Sequence, residues 1–424
     1  APMSLPSLSR LVCAVLLVTT VAAVGASADE DASLRRSPPP TPTAEQLRDA
    51  AVVNDYVANL RSPFKDPEDG MLDTSEWLER STGFLPVPII ITEPAIDFGL
   101  GFAPAFFHGK PRRLKNADGT EGRVVPPSVT AAGGAATLNG TWFVFGAHLG
   151  VWNDDRIRYT GVAGYANVNI DFYGVASEAR DRPLSATIKS AFTLQSIEFR
   201  IRESNWWLGA RYRFFSNDVG FRNRALLPDL TPKALDSRIA GFGPSVTFDS
   251  RDNIFSPNDG IRAQATYMFF EPCFGSDYAF QQLHAYGLGW KQIAPKLNLG
   301  VRLDVEGVDG ETPFYALPFI NMRGVPAVRY QGDNVATLEA QLRYDVSRRW
   351  GVTLFGGYGR ASRDPLDIFD RELVPGQVDE AWSVGTGFRY LIAKRLGLRV
   401  GIDIARGPED WAFYIVTGDA WFRP

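Results

Sequence analysis

Few residues of this 424-residue chain are of types that could do chemistry. The three histidines, His108, His148 and His284, stand too far apart to suggest metal-ligand spacing, and no cysteine pair accompanies them. His284 falls in a strand-like pattern and could supply a base, but no G-x-S-x-G elbow provides a nucleophile beside it. No phosphate-binding loop or dinucleotide fingerprint occurs either. An enzyme is therefore not expected, and no metal or cofactor is implied. The charged residues read as structural instead. Asp249, Arg251 and Asp252 precede the turn signal Ser256-Pro257-Asn258-Asp259-Gly260 and are read as a salt-bridge cluster at a rim, the competing reading being a solvated turn. Arg323-Gly324 sits in a long polar loop, followed by a strand pattern that carries Glu339, Arg343 and Asp345.

The elements that must position these groups are strands. Within 318–346 the loop gives way to strict alternation: Ala336, Leu338, Ala340, Leu342 and Tyr344 on one face, Val335, Thr337, Glu339, Gln341, Arg343 and Asp345 on the other. Such a strand has a different medium on each side. Similar patterns recur at 160–172, 297–306 and 395–404, and about sixteen segments are counted from Gly83 to the end. The apolar face switches partway through 188–202, which predicts a bulge or a displaced boundary. No helices of the βαβ kind separate the segments, so an antiparallel all-β fold is expected.

Composition agrees. Glycine is frequent (40 residues), aromatics reach 12%, and the net charge of -4 comes with no basic stripe, so nucleic acid is not an expected partner. At the N-terminus, Arg10, the apolar run 11–24 and Ala26-Ser27-Ala28 read as a signal peptide over 1–28. Residues 29–83 read as a Pro-rich disordered linker with short helices, a tail or plug, in which Asp73 to Glu76 has the form of a capping box. Residues 84–424 form the β region. Cys273 alone remains after the signal, so no internal disulfide is available.

Which face meets lipid follows from geometry. A closed barrel of about sixteen strands has a lumen too wide for side chains to fill, so its apolar face is expected to point outward and its charged face into a watered or plugged lumen. Glu339, Arg343 and Asp345 facing lipid would each cost up to roughly 2–4 kcal/mol near the midplane. The tryptophans Trp142, Trp152, Trp206, Trp207, Trp290, Trp350, Trp382, Trp411 and Trp421 fall near strand ends, as interfacial girdles require. A transmembrane antiparallel β-barrel of about 16 strands is the expected fold, with lipid as a partner.

Three stretches resemble the bacterial surface antigen barrels of the BamA/TamA type. Gly243 to Asn253, with Phe255-Ser256-Pro257 and Gly260, is similar to that family's DxRD…FxPxxG strand–turn–strand. Met322-Arg323-Gly324 resembles the tip of its inward-folded loop, and the run 401–422 resembles its last two strands. The resemblance implies a sixteen-stranded barrel in a bacterial outer membrane. It also implies that the loop carrying Arg323 folds into the lumen and pairs with acidic residues on the strands after it. Here those are Glu339 first and Asp345 second, since an enclosed guanidinium needs a carboxylate.

The chain departs from the family in three places. The segment ahead of the barrel is too short for a POTRA domain. The stretch where the family has an acidic FxDxG reads Phe355-Gly356-Gly357-Tyr358-Gly359, so Glu339 is expected to carry more of the loop's anchoring. The chain ends Trp421-Phe422-Arg423-Pro424 rather than on an aromatic residue. The implied function is outer-membrane biogenesis or envelope maintenance, with client proteins or a separate periplasmic partner. The alternative is a passive channel or structural barrel.

Overall fold

The computed structural model describes residues 64–66, 68–75, 84–108, 112–115, 121–125, 127–172, 184–221, 236–363 and 377–421. The signal-like segment, the Pro-rich stretch after it and Glu76 of the capping-box pattern lie outside these residues. The strands are β1 (Phe84–Ile91), β2 (Gly99–His108), β3 (Arg112–Lys115), β4 (Glu121–Val125), β5 (Ser128–Thr137), β6 (Trp142–Trp152), β7 (Ile157–Phe172), β8 (Leu184–Arg200) and β9 (Trp206–Phe221). They continue as β10 (Asp236–Asp249), β11 (Gly260–Phe270), β12 (Phe280–Ala294), β13 (Leu297–Gly310), β14 (Asn334–Asp345), β15 (Trp350–Arg363), β16 (Gln377–Ala393), β17 (Leu398–Arg406) and β18 (Trp411–Thr417).

Sixteen of them form one antiparallel meander, β1-β2-β5 and onward in sequence order to β18, rolled into a nearly closed barrel. The pair β3–β4 forms a separate hairpin between β2 and β5. β1 and β18 are the two ends of the sheet, with no ladder joining them. The connections 153–156, 201–205, 295–296, 346–349 and 394–397 are short and share one end, the turn end. The long connection 311–333 lies at the opposite, loop end.

On β14 the alternation resolves as the sequence predicts: Leu338 is 51% exposed and Glu339 1%. Val301, Leu303, Val352, Leu354, Ile402, Ile404, Phe413 and Ile415 extend the same outward apolar belt. Six of the tryptophans (Trp142, Trp152, Trp206, Trp350, Trp382 and Trp411) also face outward. Trp207, Trp290 and Trp421 do not; they are buried inside and belong to no girdle.

The inner face corrects a larger expectation. On β7 it is the apolar side, Val162, Ala166, Val168, Ile170 and Phe172, that points inward, while Tyr165 points out. These residues join Ile89, Phe143, Phe145, Ile188, Phe192 and Phe215 in one buried cluster. Tyr315, Phe319 and Val328 from the 311–333 loop pack into the same cluster, so this half of the lumen is filled and dry rather than watered. The predicted bulge in β8 is absent, because its register against β7 and β9 runs unbroken. What changes along β8 is the medium inside. Ala186, Ile188 and Phe192 face the apolar cluster near the loop end, whereas Glu198 near the turn end meets Thr247 Oγ1 at 2.8 Å and Arg211 at 3.7 Å.

Candidate functional site: the lumen loop and the open seam

The 311–333 loop enters the barrel because its residues find partners on both walls. Arg323 is buried and donates through Nη1 to Asp403 at 2.7 Å on β17 and to Gln341 at 2.9 Å on β14; its Nε lies 3.5 Å from Glu339. Asp403 is thus the closest carboxylate. The sequence pointed to Glu339 and then to Asp345, but Asp345 pairs with Arg399 (3.1 Å) and Arg343 (3.5 Å), nearer the turn end. Glu339 is held mainly by Arg302 at 2.6 Å and by the indole N–H of Trp421 at 3.0 Å. Arg302 also meets Asp304 (3.0 Å), which His284 contacts at 2.9 Å, and Arg389 meets Asp403 at 2.6 Å. The result is a continuous chain of polar contacts from β12 to β17, with charges alternating from Asp304 through Arg302, Glu339, Arg323 and Asp403 to Arg389. His284 is engaged in it.

The stretch 355–359 has no acid, and the structure shows what it does instead. The Arg323 guanidinium lies 3.6 Å over the Phe355 ring. Gly357 and Gly359 leave a groove for the loop, where a Cβ would collide with Met322 and Ile320. The missing carboxylate of that stretch is replaced from β17 by Asp403, which sequence reasoning missed although it lies on the polar face of its strand.

The rim motif divides. Asp249 is held between Arg251 (2.8 Å) and Arg262 (2.8 Å). Asp252 makes no part of that cluster; it accepts the backbone N–H groups of Asn258 (2.9 Å) and Asp259 (3.2 Å), closing the turn that Gly260 ends at φ +110. The 250–259 turn reaches across the turn end of the lumen. Asn253 Nδ2 donates to Leu396 O at 2.9 Å, and Arg343 donates to Asn258 Oδ1. Phe255, fully buried, packs in one cluster with Leu85, Ala105 and Val129 on one side and Ala393, Leu396 and Leu398 on the other.

The described part of the N-terminal segment, 64–75, docks outside this end rather than filling the lumen. Arg349 in the β14–β15 turn is 1% exposed and meets Asp69 at 2.7 Å, Asp73 at 2.5 Å and Asp66. Thr74 N–H donates to Ile392 O at 2.7 Å, Tyr390 donates to Leu72 O at 2.7 Å, and Lys394 pairs with Glu68. Asp73 also accepts the Ser75 N–H at 2.7 Å, in the manner of a helix cap. Hydrogen bonding from Arg349 holds the Asp69 carboxyl below its usual value. Burial pushes Asp73 upward, but the bonds from Ser75 and Arg349 outweigh it and its pKa is also lowered.

The seam between β1 and β18 is spanned from inside by the loop. Ala327 N–H donates to Glu93, just after β1, at 3.1 Å. Across the gap, Gly324 N–H donates to the Tyr414 hydroxyl on β18 at 2.8 Å, and Arg329 (3.0 Å) and Tyr330 both meet Glu409. The two sheet ends are therefore each tied to the loop, and no ladder joins them among the described residues.

No family model and no curated protein matches the sequence. Among solved structures, BamA from Haemophilus ducreyi lacking POTRA domains 1–3 superposes with a TM-score of 0.52 at 12% identity, covering 87% of this chain and 78% of that one. CdiB from Escherichia coli superposes with a TM-score of 0.50 at 8% identity, and the chain spans 60% of its length while 80% of this chain is covered. At these identities the likeness is one of fold, and the fold it shows is the BamA-like barrel.

Proposed function

We propose that the protein is a non-catalytic outer-membrane barrel that receives strands of client proteins at its β1–β18 seam, in outer-membrane biogenesis or envelope maintenance. The observation that carries this reading is the seam itself. Two sheet ends without a common ladder lie in an apolar belt, where unpaired backbone groups have no water to bond. A client strand can satisfy them by joining the sheet. The fold likeness to BamA and CdiB supports the reading, and so does the occlusion of the lumen by the 311–333 loop and the 250–259 turn, which disfavours a passive channel. Lipid and client chains are the partners this role requires. Deleting the protein should lower the levels of other outer-membrane barrels in the envelope; unchanged levels would refute client handling.

A further inference from the structure

The two free edges at the seam are unequal. Along β1, Pro86 stands opposite Pro104 of β2, and neither has an N–H. That pair cannot exchange ladder bonds, so the bonds to β2 come from Leu85, Val87, Ile89 and Ile91, because bonded and non-bonded pairs alternate in an antiparallel ladder. The backbone groups of Phe84, Pro86, Pro88 and Ile90 then point to the seam. Two of these four positions have no donor.

β18 has the opposite character. Gly407 N–H donates to Asp410 O at 3.2 Å above its hairpin with β17, and Gly418 N–H donates to Arg399 O at 2.7 Å below it. Both bonds fix the same parity: Ala412, Tyr414 and Val416 bond to β17, leaving Trp411, Phe413, Ile415 and Thr417 toward the seam. None is a proline. Asp410 takes the Trp411 N–H at 2.7 Å, so the receptive run begins at Phe413. Phe413 and Ile415 turn their side chains outward into the apolar belt.

We propose that β18, and not β1, is the strand-receiving edge, and that its partner is an extended amphipathic β-strand whose apolar residues face lipid in line with Phe413 and Ile415. The inference rests on the reading that the seam receives strands. It adds which side does so. The prolines blunt β1 against templated pairing, as edge prolines do elsewhere, while β18 stays anchored from within through Tyr414, and its neighbour β17 through Asp403.

Ile90 and Ile415 are matched reporters, 40% and 39% exposed, one on each edge. A photo-crosslinking phenylalanine analogue is placed at either position in the full chain in phospholipid vesicles. The probe is a synthetic peptide of the 336–344 sequence, and a second version carries proline at alternate positions. Two absent hydrogen bonds predict roughly tenfold to hundredfold more labelling at position 415 than at 90, with loss of labelling for the proline peptide. Equal or greater labelling at 90, or undiminished labelling by the proline peptide, overturns the assignment to β18. Labelling at 90 alone does so while leaving strand reception at the seam intact. No labelling at either position, in barrels shown to be folded by heat-modifiability, overturns both.

Discussion

The two walls of the barrel present nearly the same outer surface and opposite inner ones. β11 to β17 turn Arg262, Gln282, Arg302, Glu339, Arg389 and Asp403 inward, whereas β1 and the loop-end halves of β6 to β9 turn in Ile89, Phe143, Val168, Ile188 and Phe215. The 311–333 loop lies between them with its Arg323 end on the charged wall and its Tyr315 and Val328 on the apolar one. The interior of a wide barrel is thus not one medium. Each wall matches the part of the loop that covers it, and the loop is amphipathic across the lumen as a helix is around its axis.

The contrast can be broken in order of expected effect. Val168→Asp should place an unpaired charge in the dry half, costing several kcal/mol in thermal unfolding followed by heat-modifiability. Wild-type melting would mean that this wall is watered and the contrast false. On the other wall, Asp403→Ala strands Arg323 and Arg389 together and should cost about 3–5 kcal/mol by the same measurement. An effect no greater than that of Asp345→Ala would show that Asp403 is not the loop's main anchor. Outside, Leu338→Arg should destabilise by about 2–4 kcal/mol in bilayers, and a neutral result would place β14 away from lipid.

The smallest effect concerns the turn end, where the N-terminal segment docks outside the lumen. Asp69 and Asp73 have lowered pKa values, and they face Arg349 and Lys394 with Asp66 and Glu68 beside them. A depressed carboxylate contributes stability above its ordinary value of 3.8 and loses it as pH falls through the lower folded value. A spin label at Leu72 should therefore stay immobile from neutral pH down to the ordinary carboxylate value and loosen only below it. Loosening between pH 7 and 5 would contradict the pairing.

The strand count was readable from alternation, the antiparallel order from the lack of crossover helices, and the outward leucine face of β14 from the cost of turning Glu339, Arg343 and Asp345 to lipid. The inward face of β7 was not, because alternation is symmetric and cannot say which side is inside. That choice was made by residues far away in sequence, Tyr315 and Phe319 among them, which fill the space. Asp403 escaped for a similar reason. It is 80 residues from Arg323, and only the barrel's curvature brings β17 over the loop tip. Pro86 and Pro88 are plain in the sequence, yet their meaning depends on register. Had Pro86 stood opposite a residue with an N–H instead of Pro104, both could have faced β2.

The Arg349 clasp has one more consequence. The described part of the docked segment runs to Ser75 beneath β16, and the chain begins β1 at Phe84 on the far side of the seam. As a hydrogen-bonded sheet the barrel is open, but as a polymer it is a ring. Nine residue steps at about 3.3–3.6 Å each limit the span from the clasp to β1 to about 30 Å. While the three aspartates hold, that length is a mechanical stop: the edges of the seam cannot separate beyond its reach, and the wall cannot unroll.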